Sequence, residues 1–240
     1  VQARPNSLAG GIRLNDFASA FLLSLLVATT ATTLMLPLGL WASYRLGVGG
    51  PFPGRWLVEV FITLPLVLPP TVVGYALLLI FGRGTAFGRI LQDDFGIRLL
   101  FTWPGAAIAA GVMALPLFVR TGAAALASVD TELIEVGRTL GASEARLFFS
   151  VLIPLSFRGL LAAFTLAFAR ALGEFGATLM VAGSIPGRTQ TLPLALYAAV
   201  QSGDDGLALR YALTLTLVAL VLISLVGLWS GRIASARGER

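Results

Sequence analysis

The chain has 240 residues, 57% of them hydrophobic and 12% charged, with a formal net charge of +5. It contains no Cys and no His, and all 17 basic residues are Arg. Those absences exclude a disulfide framework, thiol or imidazole catalysis, His-liganded metal, and a P-loop, which needs its lysine on the phosphates. A soluble domain carries about twice this share of charge, and here apolar runs of about 20 residues recur, long enough to cross a bilayer. The expected fold is therefore an all-α integral membrane protein with about five transmembrane helices. Because the arginines are scattered between the runs, the positive charge reads as membrane topology and not as a nucleic-acid footprint.

Residues 1–16 are polar and are expected to lie outside the first span, with Asp16 capping its start. That span runs from Phe17 to Tyr44 and is too long for a signal-peptide core. Trp41 and Tyr44 sit where interfacial aromatics belong. The hydroxyls of Thr29, Thr30, Thr32 and Thr33 either face other helices or bond back to their own. A Gly/Pro-rich connector, residues 47–55, leads to a second span from Trp56 to Phe81. There Pro65, Pro69 and Pro70 each remove a helix N–H donor near mid-membrane. Broken backbone at that depth survives only where protein or a water-filled path covers it. Pro69, Pro70 and Thr71 are accordingly candidate path-lining residues, and a plain packing bend is the alternative. A polar loop over 82–102 precedes a third span from Leu99 or Trp103 to Val119, rich in Gly and Ala that permit close helix approach.

The stretch from Asp130 to Pro154 is the longest charged interval between apolar regions, and it reads as helix, break, helix. Leu133, Val136, Gly137 and Leu140 recur at three- and four-residue steps on one face. Gly141 stops the first helix. Ser143 caps a second, which presents Leu147, Phe148 and Val151 before Pro154 ends it. The fourth span, Phe157 to Ala182, carries Arg170 and Glu174 four residues apart on one face. Charges at that depth need a partner or water, so they form either an internal ion pair or, with Thr178, part of a path for a polar solute. Residues 183–206 form a turn-rich loop whose apolar part, Leu194–Val200, is too short to span. Leu207–Trp229 is the last span and a basic tail, 231–240, follows. Nine arginines fall on the side of the Asp130–Pro154 loop and six on the other. Positive-inside then puts the loop and the C-terminus in the cytoplasm and the N-terminus outside.

The Asp130–Pro154 stretch resembles the EAA loop of permease subunits of ATP-binding-cassette importers. Glu135-Val136-Gly137, then Gly141, Val151 and Ile153-Pro154 keep every spacing of that signature, with Val136 and Gly137 in place of its two alanines. Several other stretches resemble the molybdate permeases within that class: Leu64–Tyr75, Arg138–Ala142, Ala167–Thr178 and Ile185–Pro193. The resemblance implies a type I importer permease domain over 17–230 in a bacterial-type inner membrane, forming a path for molybdate. It implies a homodimer, a cytoplasmic ATPase dimer that carries the ATP and Mg, and an extracytoplasmic molybdate-binding protein. It implies no cofactor, catalytic residue or metal site in this chain. Glu135, Arg138, Gly141, Leu147, Phe148, Phe149 and Pro154 become the residues that couple it to the ATPase. Sulfate, thiosulfate or tungstate permeases are the alternatives, and a passive anion channel is the rival of a different class.

Overall fold

A computed structural model describes the backbone of residues 7–235 and the side chains of residues 16–227. The described residues form helices and turns only. The helices are α1 (Ser7–Gly47), α2 (Arg55–Val67), α3 (Pro70–Phe81), α4 (Ala86–Arg89), α5 (Trp103–Ala127), α6 (Thr131–Thr139), α7 (Glu144–Leu147), α8 (Ile153–Leu172), α9 (Gly176–Ala182), α10 (Leu192–Gln201) and α11 (Asp205–Ser235). Among the described residues, four stretches are long and apolar enough to cross a membrane, five if the bent pair α2–α3 counts as one.

The centre is α5, flanked by α1 and α8. Ala106, Ala107, Ala110 and Ala114 of α5 pack with Ala28 and Ala31 of α1 and with Ala163 and Ala167 of α8 in one buried cluster. Apolar side chains gain little by leaving lipid for one another, so small residues hold these helices by close backbone approach. Thr32 is buried and its hydroxyl donates to the carbonyls of Ala28 and Thr29, so it bonds back to its own helix. In contrast, α2 buries no residue, and α11 leaves Leu213, Leu217, Leu220 and Val221 exposed.

Four expectations need correction. First, α1 begins at Ser7, so Asp16 lies inside it and caps nothing; its carbonyl accepts the Ser19 hydroxyl at 2.8 Å. No proline lies between Ser7 and Asp16, and the helix runs through those polar residues. Second, the second span is broken outright: α2 and α3 meet at 114° across Leu68-Pro69. Pro70 opens α3 at its first position, where its missing N–H costs nothing. Third, Pro154 does not end the helix that Ser143 starts. It sits in the first turn of α8, just after a wide turn over Phe148–Leu152 closed by the Ile153 N–H on the Phe148 carbonyl. Such a turn is one way a helix takes up a proline without stopping. Fourth, the fourth span is interrupted at Gly173–Phe175, between α8 and α9, so Glu174 lies in a break.

Candidate coupling loop and broken-helix site

The loop is built by local rules. The Asp130 carboxylate accepts the Glu132 N–H at 2.9 Å and caps α6. At the other end, the Ala142 N–H reaches the Gly137 carbonyl at 3.0 Å while Gly141 stands at φ +79°, a left-handed position that glycine takes at little cost. Ser143 then accepts the Arg146 N–H at 3.3 Å and starts α7.

Packing sorts the loop residues into two faces. Ile134 and Leu147 are buried, with Leu126, Val129, Leu152 and Leu160, in a cluster beneath the loop. A Cβ on Gly137 would lie 2.4 Å from a Leu147 methyl, so glycine is what lets Leu147 sit against α6. Leu147 was expected to offer apolar area to a partner; at 2% exposure it cannot, because it anchors the loop to its own chain. Leu133, Val136 and Leu140 point away and are 51%, 55% and 82% exposed. Phe149 is exposed too, whereas Phe148 is half-buried with its ring edge-on to Tyr44, centroids 5.3 Å apart. Glu135 and Pro154 are exposed.

Arg138 donates twice to Glu144, at 2.7 and 3.1 Å, and the Tyr44 hydroxyl donates to the same carboxylate. Neither Tyr44 nor Glu144 was assigned a role from sequence. Tyr44 read only as an interfacial aromatic, and no short-range pattern joins residues 100 positions apart.

The second site is where the two broken spans meet. A Cβ on Gly176, at the start of α9, would lie 3.0 Å from Pro70 and 3.3 Å from the Thr71 nitrogen; one on Gly74 would lie 2.7 Å from the Ala177 Cα. The first turns of α3 and α9 are thus side by side. Arg170 and Glu174 form an ion pair at 2.6 Å, with side chains 28% and 1% exposed. The other Glu174 oxygen accepts the Ala177 N–H at 2.8 Å. Glu174 is therefore a fully engaged internal group that spans the break. Pro69 and Thr71 are exposed, and Pro70 is half-buried. Thr178 is buried with no hydrogen-bond partner for its hydroxyl, and does not open onto solvent within one chain. Thr189, another hydroxyl that could face the path, instead accepts the Ile185 N–H at 3.0 Å and stays within its own loop.

Residues 35–237 match the family model described as binding-protein-dependent transport system inner membrane component. The molybdenum transport system permease protein ModB of Escherichia coli K12 is 45% identical over 92% of this chain and 96% of that protein. The chain belongs to the binding-protein-dependent transport permeases. A sulfate transport system permease protein, CysW of Synechococcus elongatus, is 36% identical over 97% of this chain and 82% of its own. Among solved structures, a bacterial ABC transporter involved in import of the acidic polysaccharide alginate superposes with a TM-score of 0.71 at 14% identity, covering 91% of this chain and 80% of that one. That likeness is one of fold. As a permease of this family the chain is a multi-pass inner-membrane component without a catalytic centre or cofactor of its own. The stretch that resembles the EAA loop is the helix–turn–helix of α6 and α7.

Proposed function

We propose that this permease forms the membrane path of an ATP-driven importer for molybdate and couples that path to a separate ATPase through the loop 130–154. The observation that carries the coupling is the outward stripe of Leu133, Val136 and Leu140, joined by Phe149, on a loop whose other face is locked into the chain. Exposed apolar groups on a polar element call for a partner surface. Glu135, Arg138 and Gly141 set the charge and angle of that surface, and Phe148 braces it. The substrate reading is supported by 45% identity along nearly the whole chain to a protein named for molybdenum transport. Sulfate is the second reading, favoured by the 36% match to CysW.

In this reading two copies face each other. An apolar α2 with no buried residue of its own supports that arrangement. An extracytoplasmic binding protein delivers the oxyanion, and ATP binding to two cytoplasmic ATPase subunits draws the two loops together. Pro69, Pro70 and Thr71 line the path, with Arg170 partly open to it. Weak anion binding there suffices, because tight binding belongs to the delivery protein. Glu174 and Thr178 act from behind this surface. The arginine distribution puts the loop and C-terminus in the cytoplasm and the N-terminus outside.

Uptake of molybdate into proteoliposomes tests the class. The expected result is accumulation that needs ATP, the ATPase and the binding protein together. Flux down a gradient without the ATPase would make the chain a channel.

A further inference from the structure

We infer that Tyr44 and Glu144 are positioning residues that tie the loop to α1, so that movement of the loop passes into α1 as well as into α8. The inference rests on the coupling reading above and extends it. A loop held only through its own chain ends would drive α5 and α8, the helices it connects, and not α1. Here a carboxylate on α7 is held at once by a guanidinium from α6 and by a phenol from α1. Phe148 adds a ring contact to the same tyrosine, and Phe149 stands edge-on to Phe148 with centroids 5.1 Å apart.

The surroundings indicate what this link does. A groove of about 510 Å³ opens between α1 and the loop, lined by Leu36, Pro37, Leu40 and Trp41 on one side and Phe148 and Phe149 on the other. Apolar contacts from Leu40 and Val48 join the cluster below, but such contacts are not directional and allow sliding. Hydrogen bonds to one shared carboxylate fix the register of three elements. The ion pair is 45% and 54% exposed on its two sides, so it adds little stability. The Tyr44–Glu144 hydrogen bond contributes geometry instead, joining residues 100 positions apart.

The far end of α1 is tied just as specifically. The Ser24 hydroxyl accepts the Leu192 N–H at 2.7 Å where α10 begins. Phe17 stacks on Tyr211 of α11 at 5.3 Å. Ser24 and Tyr44 are 20 residues apart on one helix, about 30 Å along its axis. A push on Tyr44 therefore reaches α10 and α11 at the opposite side of the membrane, without crossing either broken span. Physical intermediacy alone does not establish coupling, so the link is tested by breaking it.

The test compares wild type, Tyr44→Phe, Glu144→Ala and the double variant, each assembled with its ATPase. Hydrogen exchange over residues 40–50 is read with and without a non-hydrolysable ATP analogue. A nucleotide-dependent change in protection is expected in the wild type and is expected to vanish in all three variants. In the same complexes, stimulation of ATPase by the binding protein, loaded with whichever oxyanion stimulates the wild type, should fall about three- to tenfold. The double variant should be no worse than the Glu144 variant alone, since the Tyr44–Glu144 bond is already cut in each single variant. An unchanged nucleotide response in the variants, or none in the wild type, overturns the link whatever the oxyanion is. Failure of the wild-type complex to assemble would instead defeat the coupling reading itself.

Discussion

At the scale of single residues, the two ion pairs differ in kind. Glu174 is buried and holds both Arg170 and the first turn of α9, so Glu174→Ala removes a cap and strands a half-buried guanidinium. Breaking a fully buried pair costs about 3–5 kcal/mol. With Arg170 28% exposed, a loss of no more than about 3 kcal/mol is expected, seen as a lowered melting temperature of the purified chain. An unchanged melting temperature would mean the pair is idle. Glu144, by contrast, has a side chain 54% exposed and shares its carboxylate between Arg138 and Tyr44, so its pair adds geometry more than stability.

At the scale of elements, the helix–turn–helix depends on an angle that only a left-handed residue supplies. Gly141→Pro forces φ near −65° where the chain has +79°, and Glu135→Lys inverts a charge on the outward face. Both variants are expected to insert normally yet lose substrate-stimulated ATPase; normal stimulation in either would contradict the loop's role. The contact of the two broken spans is tested by Gly74→Val. Its Cβ would meet the Ala177 Cα at 2.7 Å, backbone that cannot step aside, so melting temperature and transport should both fall. Gly227→Ala, in open space on α11, is the control and should be neutral or slightly stabilising by helix propensity. Much of this scale was legible beforehand. Gly141 and Ser143 are a stop and a cap that act within four residues, so spacing alone reveals them. The face that Leu147 uses was not legible, because a leucine at helical spacing suits a core and a docking surface equally. The sharp bend at Leu68-Pro69 was underestimated, since prolines announce a break but not its angle. The meeting of α3 with α9 and of Tyr44 with Glu144 joins residues about 100 positions apart, and local pattern carries no such information.

At the scale of the whole molecule, composition decided the class, because 57% hydrophobic residues with apolar runs long enough to span belong in a bilayer, and a chain without lysine cannot form a P-loop. The fold then explains why such a chain needs partners. Its alanine-rich centre is closed, while α2, α11 and the stripe on α6 remain apolar and uncovered. Lipid covers part of that surface, and the proposed second copy and ATPase cover the rest. The central claim is that this permease turns ATP hydrolysis by another polypeptide into oxyanion import. The most direct test is the ATPase rate of the reconstituted permease–ATPase complex with its binding protein, compared for molybdate, tungstate and sulfate. Stimulation by molybdate and tungstate but not by sulfate is the predicted result. Stimulation by sulfate alone would move the substrate to the second reading, and an assembled complex that no oxyanion stimulates would contradict the account.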